Sequence, residues 1–166
     1  MMDYVSRRLP DDIPALGISL AAAAIAAGVG GLASVNAAAK YGLLEQPSWA
    51  PPAWVFGPVW TVLYVLMAIA AWLVWRTRPP VATSALVAYG IQLVLNALWT
   101  PLFFGLGWRG AALAEIVMLW IVLAVTIALF WSRSRIAAAL LVPYLVWTTF
   151  AACLNFSVWQ LNAVSA

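Results

Sequence analysis

Histidine is absent from all 166 residues, and charge is scarce: seven Arg, one Lys, three Asp and two Glu make up 8% of the chain. The first absence excludes a His-ligated metal or haem and a histidine general base. The second excludes a water-covered surface, because a soluble domain carries about 25% charged residues. An ordinary soluble enzyme, a nucleic-acid binder and a disordered chain are ruled out on this ground. The single cysteine, Cys153, cannot form an internal disulfide or a cysteine metal cluster. No G-x-x-x-x-G-K phosphate loop occurs. Neither a cofactor nor a metal is expected.

What is present is apolar and aromatic: 66% of the residues are hydrophobic and eleven are tryptophan. Residues 13–39, 46–75, 79–108 and 136–166 hold no charge, and residues 110–132 hold only Glu115. A membrane helix needs about 20 apolar residues to cross about 30 Å of hydrocarbon. Each window fits one crossing and none fits two. The chain is therefore expected to be an all-α integral membrane protein. Five transmembrane helices, near 14–39, 54–75, 81–104, 110–131 and 136–159, would form one up-and-down bundle domain over residues 1–166. A closed β-barrel also satisfies the backbone in lipid, but it needs alternating strands of about ten residues. The alanine-rich run at 21–27 does not alternate. Arg7, Arg8 and the later Ala37-Ala38-Ala39 resemble signal-peptide flanks. The apolar run of about 25 residues exceeds a signal core of about 7–15, so it reads as a retained helix.

Short links at 76–80, 105–109 and 132–135 predict antiparallel neighbours. The first connection, residues 40–53, holds Trp49, Pro47, Pro51 and Pro52 and is too polar to lie in lipid. It reads as a lid. Six arginines (Arg7, Arg8, Arg76, Arg78, Arg133 and Arg135) fall on the N-terminal side, against Lys40 and Arg109 on the other. This asymmetry predicts a cytoplasmic N-terminus.

Six tryptophans (Trp54, Trp72, Trp75, Trp108, Trp131 and Trp159) sit at predicted helix ends, where interfacial anchors belong. Trp60, Trp120 and Trp147 lie deeper, and Trp99 is intermediate. These four are candidates either for bundle packing or for the wall of an aromatic pocket. Helical spacing puts Phe56, Trp60 and Tyr64 on one face, Gln92, Asn96 and Trp99 on another, and Tyr144, Trp147, Ala151 and Asn155 on a third. At about 1.5 Å of rise per residue, Trp60, Asn96, Asn155 and Glu115 all fall within about 12 Å of the lid side. Polar groups in a membrane core face protein or a cavity. Their gathering in one half of the bundle predicts a ligand cavity beneath residues 40–53. Small residues at Ala24 and Gly28, Gly30 and Ser34, and Ala82 and Ala85 suit close helix contact, which makes a homodimer plausible.

Three motifs resemble the TspO/translocator-protein family, the tryptophan-rich sensory proteins. The first runs Pro47-Ser48-Trp49-Ala50-Pro51-Pro52-Ala53-Trp54-Val55-Phe56 and on through Trp60 to Tyr64. The second is Gln92-Leu93-x-x-Asn96-x-x-Trp99-Thr100-Pro101-x-Phe103-Phe104, and the third Pro143-Tyr144-Leu145-x-Trp147 followed by Leu154-Asn155. The resemblance covers roughly 15–162. It implies a five-helix bundle, often dimeric, that binds tetrapyrroles, especially protoporphyrin, and in many members sterols and benzodiazepine-type ligands. By motif match it implies pocket positions at Tyr41, Trp49, Trp60, Asn96, Trp147 and Ala151. The helical faces add Trp99 and Asn155, with Gln92 and Glu115 as polar partners. Glu115 stands where members commonly carry an acid. Some bacterial members are reported to degrade protoporphyrin in light, and the residues matching that role are Tyr41, Trp60 and Trp147. The chain departs from the sterol-recognition pattern of the animal proteins. Tyr144 is followed by Leu-Val-Trp-Thr-Thr, where that pattern needs a Lys or Arg.

The leading expectation is a membrane receptor or sensor for tetrapyrroles, with the lipid bilayer, and sterol-like lipids within it, as further partners. A porphyrin transporter is one alternative, opposed by the lack of an inverted repeat. A light-dependent porphyrin-degrading enzyme is another; it would use radical chemistry, since no acid–base constellation is present. A structural subunit without ligand is opposed by the Trp/Pro lid over clustered polar residues.

Overall fold

The computed structural model describes residues 9–33, 36–77 and 82–163. Six α-helices follow in order: α1 (Leu9–Ala33), α2 (Ala37–Gly42), α3 (Phe56–Trp75), α4 (Ala82–Thr100), α5 (Arg109–Trp131) and α6 (Arg135–Ala163). Among the described residues, four helices are long and apolar enough to cross a membrane, and a shorter apolar helix covers Ile13–Gly28. Together these make a five-helix membrane bundle.

The first crossing ends earlier than charge alone suggested. Its described helix runs to Ala33, Asn36 has left the helical conformation, and residues 37–39 belong to the separate α2. The lid is thus a short helix, an irregular stretch and a single 3-10 turn at Ala53–Val55 that leads into α3. Arg7, Arg8, Arg78 and Ser34, on which the orientation and part of the small-residue pattern leaned, lie outside the described residues.

Packing also corrects the neighbour relations. α1 packs against α3 and α4, α3 against α6, α6 against α5, and α5 against α4. The ring order is therefore α1–α3–α6–α5–α4. α3 and α4, consecutive in the chain, touch only sparingly, because α1 stands beside both.

Two local breaks shape the end nearest the lid. Pro101 has no N–H, and its ring clashes with the carbonyl four residues back. The last turn of α4 loosens to a π-helical turn, Pro101–Gly105, in which the Leu106 amide donates to the Pro101 carbonyl at 2.9 Å. Gly107 then turns the chain with φ of 70°. At the other end Ser134 caps α6, its Oγ accepting from the Ala137 amide at 3.2 Å. α6 has 29 residues. At about 1.5 Å per residue it outruns a hydrocarbon core of about 30 Å, and its last turn meets the lid.

The half of the bundle away from the lid is solid. Met67, Ala70, Ala71 and Val74 of α3 interlock with Leu119, Leu123 and Phe130 of α5 and with Leu141 of α6, all buried. Tyr89 stacks on Phe130 with centroids 6.1 Å apart. Tryptophans at helix ends face outward: Trp54, Trp75, Trp108 and Trp131 are each at least half exposed. Arg76 lies over Trp72 and Arg135 over Trp131. These are the positions expected of interfacial anchors.

Candidate functional site

The half beneath the lid is hollow. A cavity of about 640 Å³ opens between α1, α3, α4 and α6. α1 contributes small side chains, Ala23, Ala24 and Ala27, so the void exists partly because this wall has little bulk. α3 contributes Phe56, Trp60 and Tyr64, and α4 contributes Asn96 and Trp99. The π-turn widens the backbone so that Phe103 and Phe104 both reach the wall. α6 contributes Thr148, Ala151 and Asn155, and Tyr41 stands at the lid.

Polar groups pin this wall. The Tyr64 hydroxyl donates to Asn96 Oδ1 at 2.5 Å, joining α3 to α4. Trp99 Nε1 donates to Asn155 Oδ1 at 3.1 Å, joining α4 to α6. Asn155 Nδ2 donates in turn to the Arg109 carbonyl at 2.9 Å, joining α6 to the start of α5. Thr148 is satisfied by carbonyls of its own helix, at 2.9 and 3.0 Å. Trp99 stacks on Phe103 at 5.0 Å, and Trp60 lies 6.0 Å from Tyr144 and 5.7 Å from Tyr64. The wall is an aromatic surface with a few fixed hydrogen-bonding groups.

The lid is tied down at both ends. The Tyr41 hydroxyl donates to the Pro51 carbonyl at 3.2 Å, and the Gln46 amide donates to the Tyr41 carbonyl. Burial raises the Tyr41 phenol above the usual tyrosine value, so it stays protonated and a donor at neutral pH. Asn162, at the overhanging end of α6, accepts from the Glu45 amide at 3.1 Å and donates to the Glu45 carbonyl at 2.9 Å. Lys40 Nζ donates to the Phe104 carbonyl at 2.6 Å.

Of the residues singled out in the sequence, Tyr41, Trp60, Asn96, Trp99, Ala151 and Asn155 come together around the cavity. The others stand apart. Trp49 is half exposed and packs edge-on against Phe150 at 5.7 Å. Trp147 does not line the cavity; it packs behind the wall against Phe56 and Phe150, and its Nε1 has no partner among the described residues. Trp120, read as a deep tryptophan, faces outward and donates to Thr149 at 2.9 Å. Gln92 is fully buried outside the cavity lining, with Nε2 3.9 Å from Met67 Sδ. Both Glu115 carboxylate oxygens are buried without a partner among the described residues, also outside that lining. Sequence reasoning missed Phe103 and Phe104 as wall residues and the alanines of α1. The available signals are Pro101 inside an apolar run and the small side chains of Ala23, Ala24 and Ala27, of which the sequence reading uses only Ala24, for helix contact.

The family model described as TspO/MBR family matches residues 17–160. The chain is 38% identical over 161 residues to the translocator protein of Sus scrofa, covering 92% of each chain. It is 41% identical over 126 residues to Protein CrtK of Rhodobacter capsulatus, covering 75% of this chain and 79% of the relative. It is 43% identical over 122 residues to the tryptophan-rich sensory protein of Cereibacter sphaeroides, covering 74% and 76%.

Proposed function

The chain belongs to the TspO/MBR family, and on that premise we propose that this multi-pass membrane protein is a receptor for flat aromatic lipophiles of the tetrapyrrole class. The observation that carries the reading is the cavity of about 640 Å³ walled by Trp60, Tyr64, Trp99 and Phe103. Ligand pockets commonly measure about 300–1,000 Å³, mostly apolar with a few placed polar groups. Aromatic faces offset-stack on a macrocycle, and the Thr61 and Thr100 side chains at the wall can orient it. With no histidine in the chain, metal-free porphyrin suits the site better than haem. The arginine asymmetry of the sequence supports a cytoplasmic N-terminus, which would put the lid on the opposite side.

Light-dependent consumption of the ligand is a second reading, favoured by the placement of Tyr41 and Trp60 in the cavity wall. Both readings meet one experiment. Tryptophan fluorescence of the purified protein is titrated with protoporphyrin in the dark, then under illumination. Saturable quenching weakened by Trp60→Phe supports the receptor, and faster bleaching of porphyrin by the unaltered protein than by that variant supports turnover. Quenching without saturation removes tetrapyrrole binding as the function.

A further inference from the structure

A second recess, of about 300 Å³, adjoins the main cavity at the lid end. It lies between α2 and the turn that precedes α5. Lys40 and Arg109 line it, and Phe103 and Phe104 stand in the walls of both spaces. Among the described residues no Asp or Glu lines this recess. Two cations therefore face one small space without a counter-charge.

Neither cation is spent. Lys40 gives one hydrogen bond, to the Phe104 carbonyl, and an ammonium has three donors. Arg109 Nε is buried with no hydrogen-bond partner. A buried donor left unpaired carries a desolvation cost that an arriving acceptor removes. The backbone adds to the bias. Arg109 opens α5, and Trp108 before it gives no side-chain cap, so the first-turn amides and the positive end of the helix dipole favour an anion here.

We propose that Lys40 and Arg109 form a seat for a carboxylate carried by the ligand whose flat body occupies the aromatic cavity. This rests on the receptor reading and narrows it: the ligand is an amphiphilic aromatic acid, oriented with its acidic edge under the lid. Charge-assisted N–H···O⁻ bonds from both side chains hold that edge.

The test uses the full chain in nanodiscs of phosphatidylcholine. Tryptophan quenching is titrated with protoporphyrin and with its dimethyl ester, which has the same ring and no acid. The unaltered protein is expected to prefer the acid by about tenfold, as charge-assisted bonds allow. Lys40→Gln combined with Arg109→Gln is expected to erase the preference while leaving ester binding unchanged, which also reports an intact cavity. A preference that survives the double substitution, or none in the unaltered protein, overturns the seat and leaves the receptor reading standing. Failure of both compounds to bind overturns the reading and the seat together. A preference seen in phosphatidylcholine and abolished in phosphatidylglycerol assigns the seat to an anionic lipid headgroup and overturns the ligand carboxylate.

Discussion

Asn155 is the residue whose removal the structure makes most quantitative. It is almost fully buried in α6 and serves two other helices at once. Its Oδ1 accepts from the Trp99 indole at 3.1 Å, and its Nδ2 donates to the Arg109 carbonyl at 2.9 Å. Asn155→Ala leaves both partners unpaired. Interhelical hydrogen bonds in membranes average about 0.6 kcal/mol, with a maximum near 1.7. Two bonds therefore give a loss of about 1–3 kcal/mol. Trp99→Phe deletes only the indole bond, so a double-mutant cycle isolates that half, with an expected coupling of about 0.6–1.7 kcal/mol. The assay is reversible unfolding in dodecylmaltoside mixed with SDS, followed by far-UV circular dichroism. Because the same two residues form the cavity wall, porphyrin affinity should fall with stability in both single variants. Additivity within about 0.3 kcal/mol would show that Trp99 and Asn155 are not coupled, and the argument about the wall would fail.

Other expectations concern the lid, the turn and the outer face. Asn162→Ala removes both bonds to the Glu45 backbone, so stopped-flow quenching should show faster ligand entry and exit with a smaller change in affinity. Gly107 has φ of 70°; Gly107→Ala should cost about 1–2 kcal/mol, whereas Gly105→Ala, whose added Cβ meets only Pro101 Cβ at 4.0 Å, should cost less in the same unfolding assay. Trp120→Phe should leave porphyrin titrations unchanged, since its indole bonds Thr149 on the outer face; weakened binding would put the site on the wrong surface. Glu115→Gln should cost no stability, because neither carboxylate oxygen has a partner among the described residues; a loss above about 1 kcal/mol would reveal one.

The crossings were legible because charge is expensive in hydrocarbon, so the gaps between arginines mark helix ends directly. The hollow half was legible too, since Trp60, Asn96 and Asn155 fall within about 12 Å of the lid side and line the cavity, whereas Glu115, placed at the same depth, lies outside that lining. Period also explains why Trp147 stands outside the cavity lining. Three residues from Tyr144 is about 300° of turn, which leaves Trp147 about 60° off the axis of that face. In a ring where α6 touches both α3 and α5, that offset moves a side chain from the cavity to the helix seam. Trp49 sits in irregular backbone, where no period applies. The ring order is not local information: short links imply that α3 and α4 are neighbours, and only packing shows α1 beside both. The break between α1 and α2 has no proline or glycine signal as sharp as those at Pro101 and Gly107.

The most direct test is to fill the cavity. Ala151 lines it from α6 and is buried, so Ala151→Phe places a ring where the macrocycle would lie. Equilibrium protoporphyrin titration should show at least a tenfold loss of affinity, with helical content and the unfolding transition retained. Unchanged affinity in a folded Ala151→Phe protein would contradict the account, because the ligand would then bind somewhere other than the space beneath the lid.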